Sequence, residues 1–179
     1  MTDFILHHYA MSPFSQKVRS MLGYAQQPWL SVTVREMPPR PLLAPLAGGY
    51  RKIPVAQAGA DVFCDSRTIA AEIAARAGRP ELALENCSAE AQAWVARVDL
   101  DLFFACVLAG GNSTLRRKAW QSMSLLDLGR FAWDRIQMGR TASVRIVGLR
   151  EARPAVLAHA ADVESRLARD FLFGDAPCH

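Results

Sequence analysis

At 179 residues, 51% hydrophobic and 21% charged, the chain has the composition of a globular protein, which excludes a mainly disordered one. Folding at this length buries roughly 70% of the extended chain's surface, so the core needs no disulfide or metal staple. The net charge is +4 and is uneven: residues 1–80 carry nine Lys/Arg against five Asp/Glu, whereas residues 81–179 carry twelve of each.

Phe4-Ile5-Leu6-His7-His8-Tyr9 reads as a buried strand. Ser12-Pro13 then opens a helix whose Val18, Met21, Leu22 and Ala25 fall on one face of a 3.6-residue period. Trp29 to Val34 is β-rich and predicts a second strand. The stretch Pro38-Pro39-Arg40-Pro41, with Pro45 and Gly48-Gly49 beyond it, reads as loop with a short helix over Leu42–Ala47. Ile53-Pro54-Val55-Ala56 and Asp61-Val62-Phe63-Cys64 flank a turn containing Gly59 and predict a hairpin. Ser66 is expected to cap a helix with Ile69, Ala70, Ile73 and Ala77 on one face, ended by Gly78. The order β-α-β-(α)-β-β-α predicts one α/β layer, a mixed sheet with helices on it.

Gly78-Arg79-Pro80 is a candidate linker, and no strand pattern follows it. Ser88 is expected to start a long helix carrying Trp94, Val95, Val98 and Leu102, stopped by Gly110-Gly111. A second helical region spans about residues 115–138. Pro154, taken as a first helical position, opens a third with Val156, Leu157, Ala160, Val163 and Leu167. The second half therefore reads as an all-α bundle. The chain divides into a first domain at 1–78, a linker at 79–87 and a helical domain at 88–179.

Several classes of function lack support. Arg116-Arg117-Lys118 is the one basic run and reads as a solvated helix face, and no aromatics alternate with basic residues to stack bases, so no nucleic-acid partner is expected. No apolar run reaches the ~18 residues of a membrane span, and Met1-Thr2-Asp3-Phe4 lacks the basic start of a secretory signal, which implies a cytoplasmic protein with no membrane partner. Cys64, Cys87, Cys106 and Cys178 form no Cys-x-x-Cys, so neither a zinc knuckle nor a redox dithiol motif is present; free thiols are expected, with Cys87 and Cys106 packing in helices. Adjacent strand residues His7 and His8 point to opposite faces and make no metal-ligand set. Trp29, Trp94, Trp120 and Trp133 read as packing residues, with Trp94 the one candidate for a substrate pocket. There is no Gly-x-Ser-x-Gly, P-loop or dinucleotide fingerprint.

Three places carry chemistry. Pro13 at the first helical position puts Ser12 at the N-cap, beside unpaired N–H groups and the positive end of the helix dipole. A thiolate would be stabilised there. A cysteine would supply its own, whereas a serine hydroxyl can donate to a thiolate that a ligand brings. Ile53-Pro54, at the start of a strand after a Gly-rich loop, suits a cis peptide and leaves the Ile53 backbone to pair with an extended peptide as an added strand does. Asp65-Ser66 stands at a second helix start, where Ser66 with its N–H takes a carboxylate and Asp65 an ammonium. Each place also has a purely structural explanation, as a cap or an edge-strand proline.

Taken in order, these segments resemble the cytosolic glutathione transferases. Ser12-Pro-Phe-Ser-x-Lys-Val-Arg19 looks like that family's first-helix motif of the Ser/Cys type. Arg51-Lys52-Ile53-Pro54-Val55 looks like its Lys-Val-Pro segment, Asp65-Ser66-x-x-Ile69 like its Glu-Ser-x-x-Ile segment, and Phe171-Leu-Phe-Gly-Asp-Ala-Pro177 like its Phe-Leu-x-Gly-Asp-x-Pro signature. The resemblance implies a thioredoxin-like first domain, an all-helical second domain that is incomplete at residue 179, and a homodimer. It implies glutathione as co-substrate and no metal. Ser12 would stabilise the glutathione thiolate, the Ile53 backbone before cis Pro54 would pair with the cysteinyl part, Asp65 and Ser66 would bind the γ-glutamyl end, and Lys52 would lie near a carboxylate. Asp65 stands where the family more commonly has Glu. Tyr9 lies near where other branches place an active-site tyrosine; Ser12 is preferred because the helix cap is there. The implied function is detoxifying transfer of glutathione to a small hydrophobic electrophile, and the alternative is a non-catalytic binding or regulatory protein on the same fold.

Overall fold

A computed structural model describes residues 3–111, 113, 117, 124–141, 148–167 and 170–179. The chain forms two compact units, Met1–Ser88 with Ala176–His179, and Ala89–Asp175.

In the first unit, β1 (Phe4–His8), α1 (Pro13–Tyr24), β2 (Leu30–Thr33), α2 (Leu43–Leu46), β3 (Val55–Ala58), β4 (Asp61–Cys64) and α3 (Ser66–Ala77) follow the expected order. The sheet is mixed, in the order β2-β1-β3-β4. β1 and β2 are parallel, whereas β3 is antiparallel to both β1 and β4. The first unit is thus a thioredoxin-like α/β layer, and the region beyond it is helical.

Period-2 alternation sorts β1 between two faces. Phe4 and Leu6 join Ala56 and Ala58 of β3 on one face, under Val18, Met21 and Leu22 of α1 and Ile69, Ala70, Ile73 and Ala74 of α3. Val55 faces the other way, into a smaller cluster with Leu43 and Ala47 and with the half-buried Tyr50, Ile53, Val62 and Cys64 beside it. α3 ends at Gly78, whose φ of 62° is left-handed backbone that glycine takes without a Cβ clash; its N–H donates to Ala74 O. Two short 3₁₀ turns, Pro80–Leu82 and Leu84–Asn86, carry the chain onward.

In the second unit, α4 (Ala89–Arg97) passes through a wide π turn at Val98–Leu102 into α5 (Phe103–Gly110), one helical run with a register change. α6 (Leu125–Thr141) and α7 (Leu149–Arg166) follow. Ala105 of α5 and Ala152 of α7 are both buried and pack together, with Leu102, Leu108, Ala155 and Val156 around them. Their small side chains allow close approach of the two helices.

Three expectations need correction. The N-cap of α3 is Asp65, with Ser66 already helical. Pro154 does not open α7 but lies within it: Gly148 is the N-cap, and the good helix formers Leu149-Arg-Glu-Ala-Arg153 precede the proline. Cys106 is exposed on α5, and Cys87 follows the second 3₁₀ turn and is not helical. Trp94 is engaged within its own unit: Arg97 and Arg166 place their guanidinium carbons 4.6 Å from its ring centroid, and the His159 and Phe173 rings lie 5.1 and 5.8 Å away. Asp162 links the same two arginines at 3.0 and 2.9 Å. Arg116, Lys118 and Trp120, and the expected helix over residues 115–123 apart from Arg117, lie outside the described residues.

Candidate ligand site at one end of the strands

The register brings the three chemical segments to the same end of the sheet. His7 pairs with Val55, and Val55 with Cys64, so these residues form one row across β1, β3 and β4. β1 runs out past this row into the loop that leads to Ser12. β3 enters through it from Ile53-Pro54. β4 leaves it directly into Asp65-Ser66. Two helix N-termini, those of α1 and α3, therefore stand at one end of the sheet on either side of the start of β3. Strands lie about 4.8 Å apart, so β1 and β4 are separated by about 10 Å. An extended chain covers about 3.5 Å per residue, so a tripeptide has that reach.

Ser12 is a true N-cap. Its backbone is extended (φ −77°, ψ 117°), and its buried Oγ accepts the Ser15 N–H at 3.2 Å. Its carbonyl accepts from Gln16 N at 2.9 Å and its N–H donates to Tyr9 O at 3.2 Å. The hydroxyl's own proton is not used by the cap and can be given to an anion. The Ser15 Oγ, one helical turn further, is fully buried and has no hydrogen-bond partner among the described residues. Arg19 braces the loop before Ser12: its Nη2 donates to Ala10 O at 3.1 Å and its Nη1 to His8 Nδ1 at 3.5 Å. That leaves the His8 proton on Nε2, which donates to Ser31 Oγ at 2.8 Å. Burial, and then the Arg19 charge, hold the His8 pKa below its ordinary value.

The Ile53–Pro54 peptide is cis, as is Pro38–Pro39. Pro54 is buried, Ile53 half-buried and Lys52 exposed. Among the described residues Ile53 makes no backbone hydrogen bond outside the strand ladders.

Asp65 has φ 80° and ψ 137°, backbone that residues with a Cβ rarely adopt. In this conformation Oδ1 accepts the Arg67 N–H at 2.9 Å while the side chain stays exposed, and Asp65 O accepts from Ile69 N at 3.1 Å. Ser66 is buried at the first helical position. The Tyr50 phenol is pushed up to about 12 by burial first, and then by the negative charges of Asp65 and Cys64. Cys64 is pushed up by burial and by Asp65. Both stay protonated at neutral pH.

Sequence reasoning missed Arg40. Its Nε, Nη1 and Nη2 donate to Arg35 O (2.7 Å), Arg51 O (2.6 Å) and Glu36 O (2.9 Å). One guanidinium thus ties the β2–α2 loop to the segment that delivers Lys52 and Ile53. Its only sequence signal is a lone cation amid prolines. Among the described residues no group of three or more His, Cys, Asp or Glu is placed to hold a metal, and no helix is long and apolar enough to cross a membrane.

Residues 6–81 match the family profile described as glutathione S-transferase, N-terminal domain. No curated protein matches the chain. Among solved structures, a GST-like protein from Pseudomonas syringae is 28% identical, with a TM-score of 0.54 over 99% of this chain and 54% of that one. FzlA from C. crescentus is 25% identical, with a TM-score of 0.54 over 98% and 72%. A glutathione transferase homolog from Drosophila mojavensis, solved with bound glutathione, is 19% identical, with a TM-score of 0.55 over 99% and 72%. The chain spans about half the length of the Pseudomonas protein. It is a glutathione-transferase-fold protein, a thioredoxin-like N-terminal domain followed by a helical region.

Proposed function

We propose that residues 1–78 bind glutathione and that the chain is a glutathione transferase acting on a small hydrophobic electrophile. One observation carries this reading: the N-termini of α1 and α3 follow β1 and β4, strands about 10 Å apart, at the end of the sheet where β3 begins after Ile53-Pro54. The γ-glutamyl end suits Asp65 and Ser66, an anionic and an N–H-rich partner for an amino-acid head group. The cysteinyl part suits the Ile53 backbone, and Lys52 suits a carboxylate. That order leaves the thiol facing Ser12. There the hydroxyl and the helix dipole favour the thiolate, and each unit by which the bound thiol's pKa falls is worth ~1.4 kcal/mol. The bound glutathione of the Drosophila mojavensis homolog supports the choice of ligand. Residues 88–179 then supply the electrophile side, and we extend the reading to a cytoplasmic, detoxifying homodimer.

The test is Ser12→Ala, assayed with glutathione and a chlorinated nitroaromatic. A hydrogen bond to a charged group contributes about 1.5–3 kcal/mol, so turnover should fall roughly 10- to 100-fold while glutathione affinity holds. Unchanged turnover removes Ser12 from the mechanism. Glutathione binding without turnover of any electrophile favours the non-catalytic alternative.

A further inference from the structure

The cysteines are far apart in sequence, yet two of them meet in the first unit. Cys87 Sγ donates to Glu81 O at 3.5 Å and to Ala83 O at 3.6 Å. The segment Ala176–His179 belongs to the same unit. His179 N donates to that same Glu81 O at 3.4 Å, and its ring sits 3.4 Å from Leu82 O and 3.0 Å from Lys17 Nζ. His179 and Cys87 share the Glu81 carbonyl, which places Cys178, the residue before His179, beside Cys87. Both are half-buried and neither is bridged. Cys64 ends β4 and Cys106 is exposed on α5 in the other unit.

We propose that Cys87 and Cys178 are a redox-active thiol pair, closing to an intramolecular disulfide by exchange with a low-molecular-weight disulfide such as glutathione disulfide. Exchange needs a thiolate, an accessible sulfur and a second thiol within reach. The Cys87 thiolate attacks one sulfur of glutathione disulfide; the S–S bond breaks, and one glutathione leaves with the proton Cys87 gave up. The Cys178 thiolate then attacks Cys87 Sγ and expels the second glutathione, which takes the Cys178 proton. Two protein thiols are oxidised and one disulfide is reduced to two thiols. The order of attack follows from the surroundings. Burial first, and then the hydrogen bond and charge of Cys87, push the Cys178 thiol up to about 12, so Cys178 rests protonated. Once Cys87 carries glutathione, its charge no longer opposes ionisation of Cys178. Cys87 and Cys178 flank the helical unit Ala89–Asp175, so the bond closes a loop of about 90 residues that contains it. The pair is a clasp on both ends of the helical unit, sensitive to the poise of the thiol pool, and it does not depend on the transferase reading.

The experiment treats the reduced 179-residue chain with glutathione disulfide, quenches with acid, and reads intact mass and non-reduced peptides. The expected product has lost two hydrogens and yields a linked Cys87–Cys178 peptide. Cys178→Ser should stop at a single glutathione adduct on Cys87. Adducts on the wild-type chain that never resolve, linkage through Cys64 or Cys106, or no reaction would each overturn the proposal. The decisive readout is on the wild-type chain, so a variant that misfolds does not rescue it.

Discussion

Replacing Asp65 separates backbone strain from capping. At φ 80° and ψ 137° a residue with a Cβ bears a cost of about 1–3 kcal/mol, and Asp is expected near the low end because it tolerates positive φ better than most residues. Against this, the 2.9 Å bond from Arg67 N to Oδ1 caps α3, and losing such a cap to alanine costs about 1 kcal/mol. Asp65→Ala keeps the strain and loses the cap, so it should be destabilised by about 1 kcal/mol. Asp65→Gly loses the strain, and glycine is only a few tenths of a kcal/mol worse as a cap, so it should gain about 1 kcal/mol. The two variants then differ by about 2 kcal/mol, or roughly 4–8 °C in thermal midpoint for a chain of this size. Circular dichroism melts at matched concentration measure the difference. Both variants lack the carboxylate, so both should lose affinity for a ligand ammonium, the more stable one included. An alanine variant that melts at or above the glycine variant would refute the strain at Asp65.

Three further predictions are independent of that one. Pro154 is exposed within α7 and removes one backbone bond of the helix, so Pro154→Ala should raise stability by about 1–3 kcal/mol in a denaturant titration; a loss of stability would show that the proline is needed where it stands. Burial lowers the folded pKa of His7 and His8, so the folded chain binds fewer protons than the unfolded one below about pH 6.5. Their contribution is complete above that pH and is lost as pH falls through the lowered values; melts from pH 7 to 5 should show a falling midpoint, shallower in His8→Gln. Arg40→Met removes the three carbonyl bonds on the loop that delivers Ile53, so it should weaken glutathione binding in a calorimetric titration more than it lowers the melting midpoint; unchanged affinity would free Arg40 of that role.

Local signals carried most of the first unit. The alternation of Phe4 and Leu6, the proline after Ser12 and the glycine at 78 each act within one turn of chain, so β1, α1 and the end of α3 were legible. What was not legible depends on tertiary contacts. Asp65 and Ser66 are both good caps, and the positive φ that makes Asp65 the cap is not written in its side chain. Pro154 obeys the helix-start rule in isolation, but the burial of Ala152 against Ala105 draws helix in front of it. Arg40 looks like any loop cation until three carbonyls from two loop segments surround it. The Cys87–Cys178 meeting has no local signal, since it depends on the chain returning to the first unit after the helical region.

The central claim is that glutathione lies across the end of the strands from Asp65 to Ser12. It is tested most directly by titrating glutathione into the folded protein by calorimetry, beside Asp65→Ala and Ser12→Ala. The account predicts saturable binding by the wild-type chain, kept by Ser12→Ala and lost by Asp65→Ala. Binding that Asp65→Ala retains in full, or none by the folded wild-type chain, would contradict it.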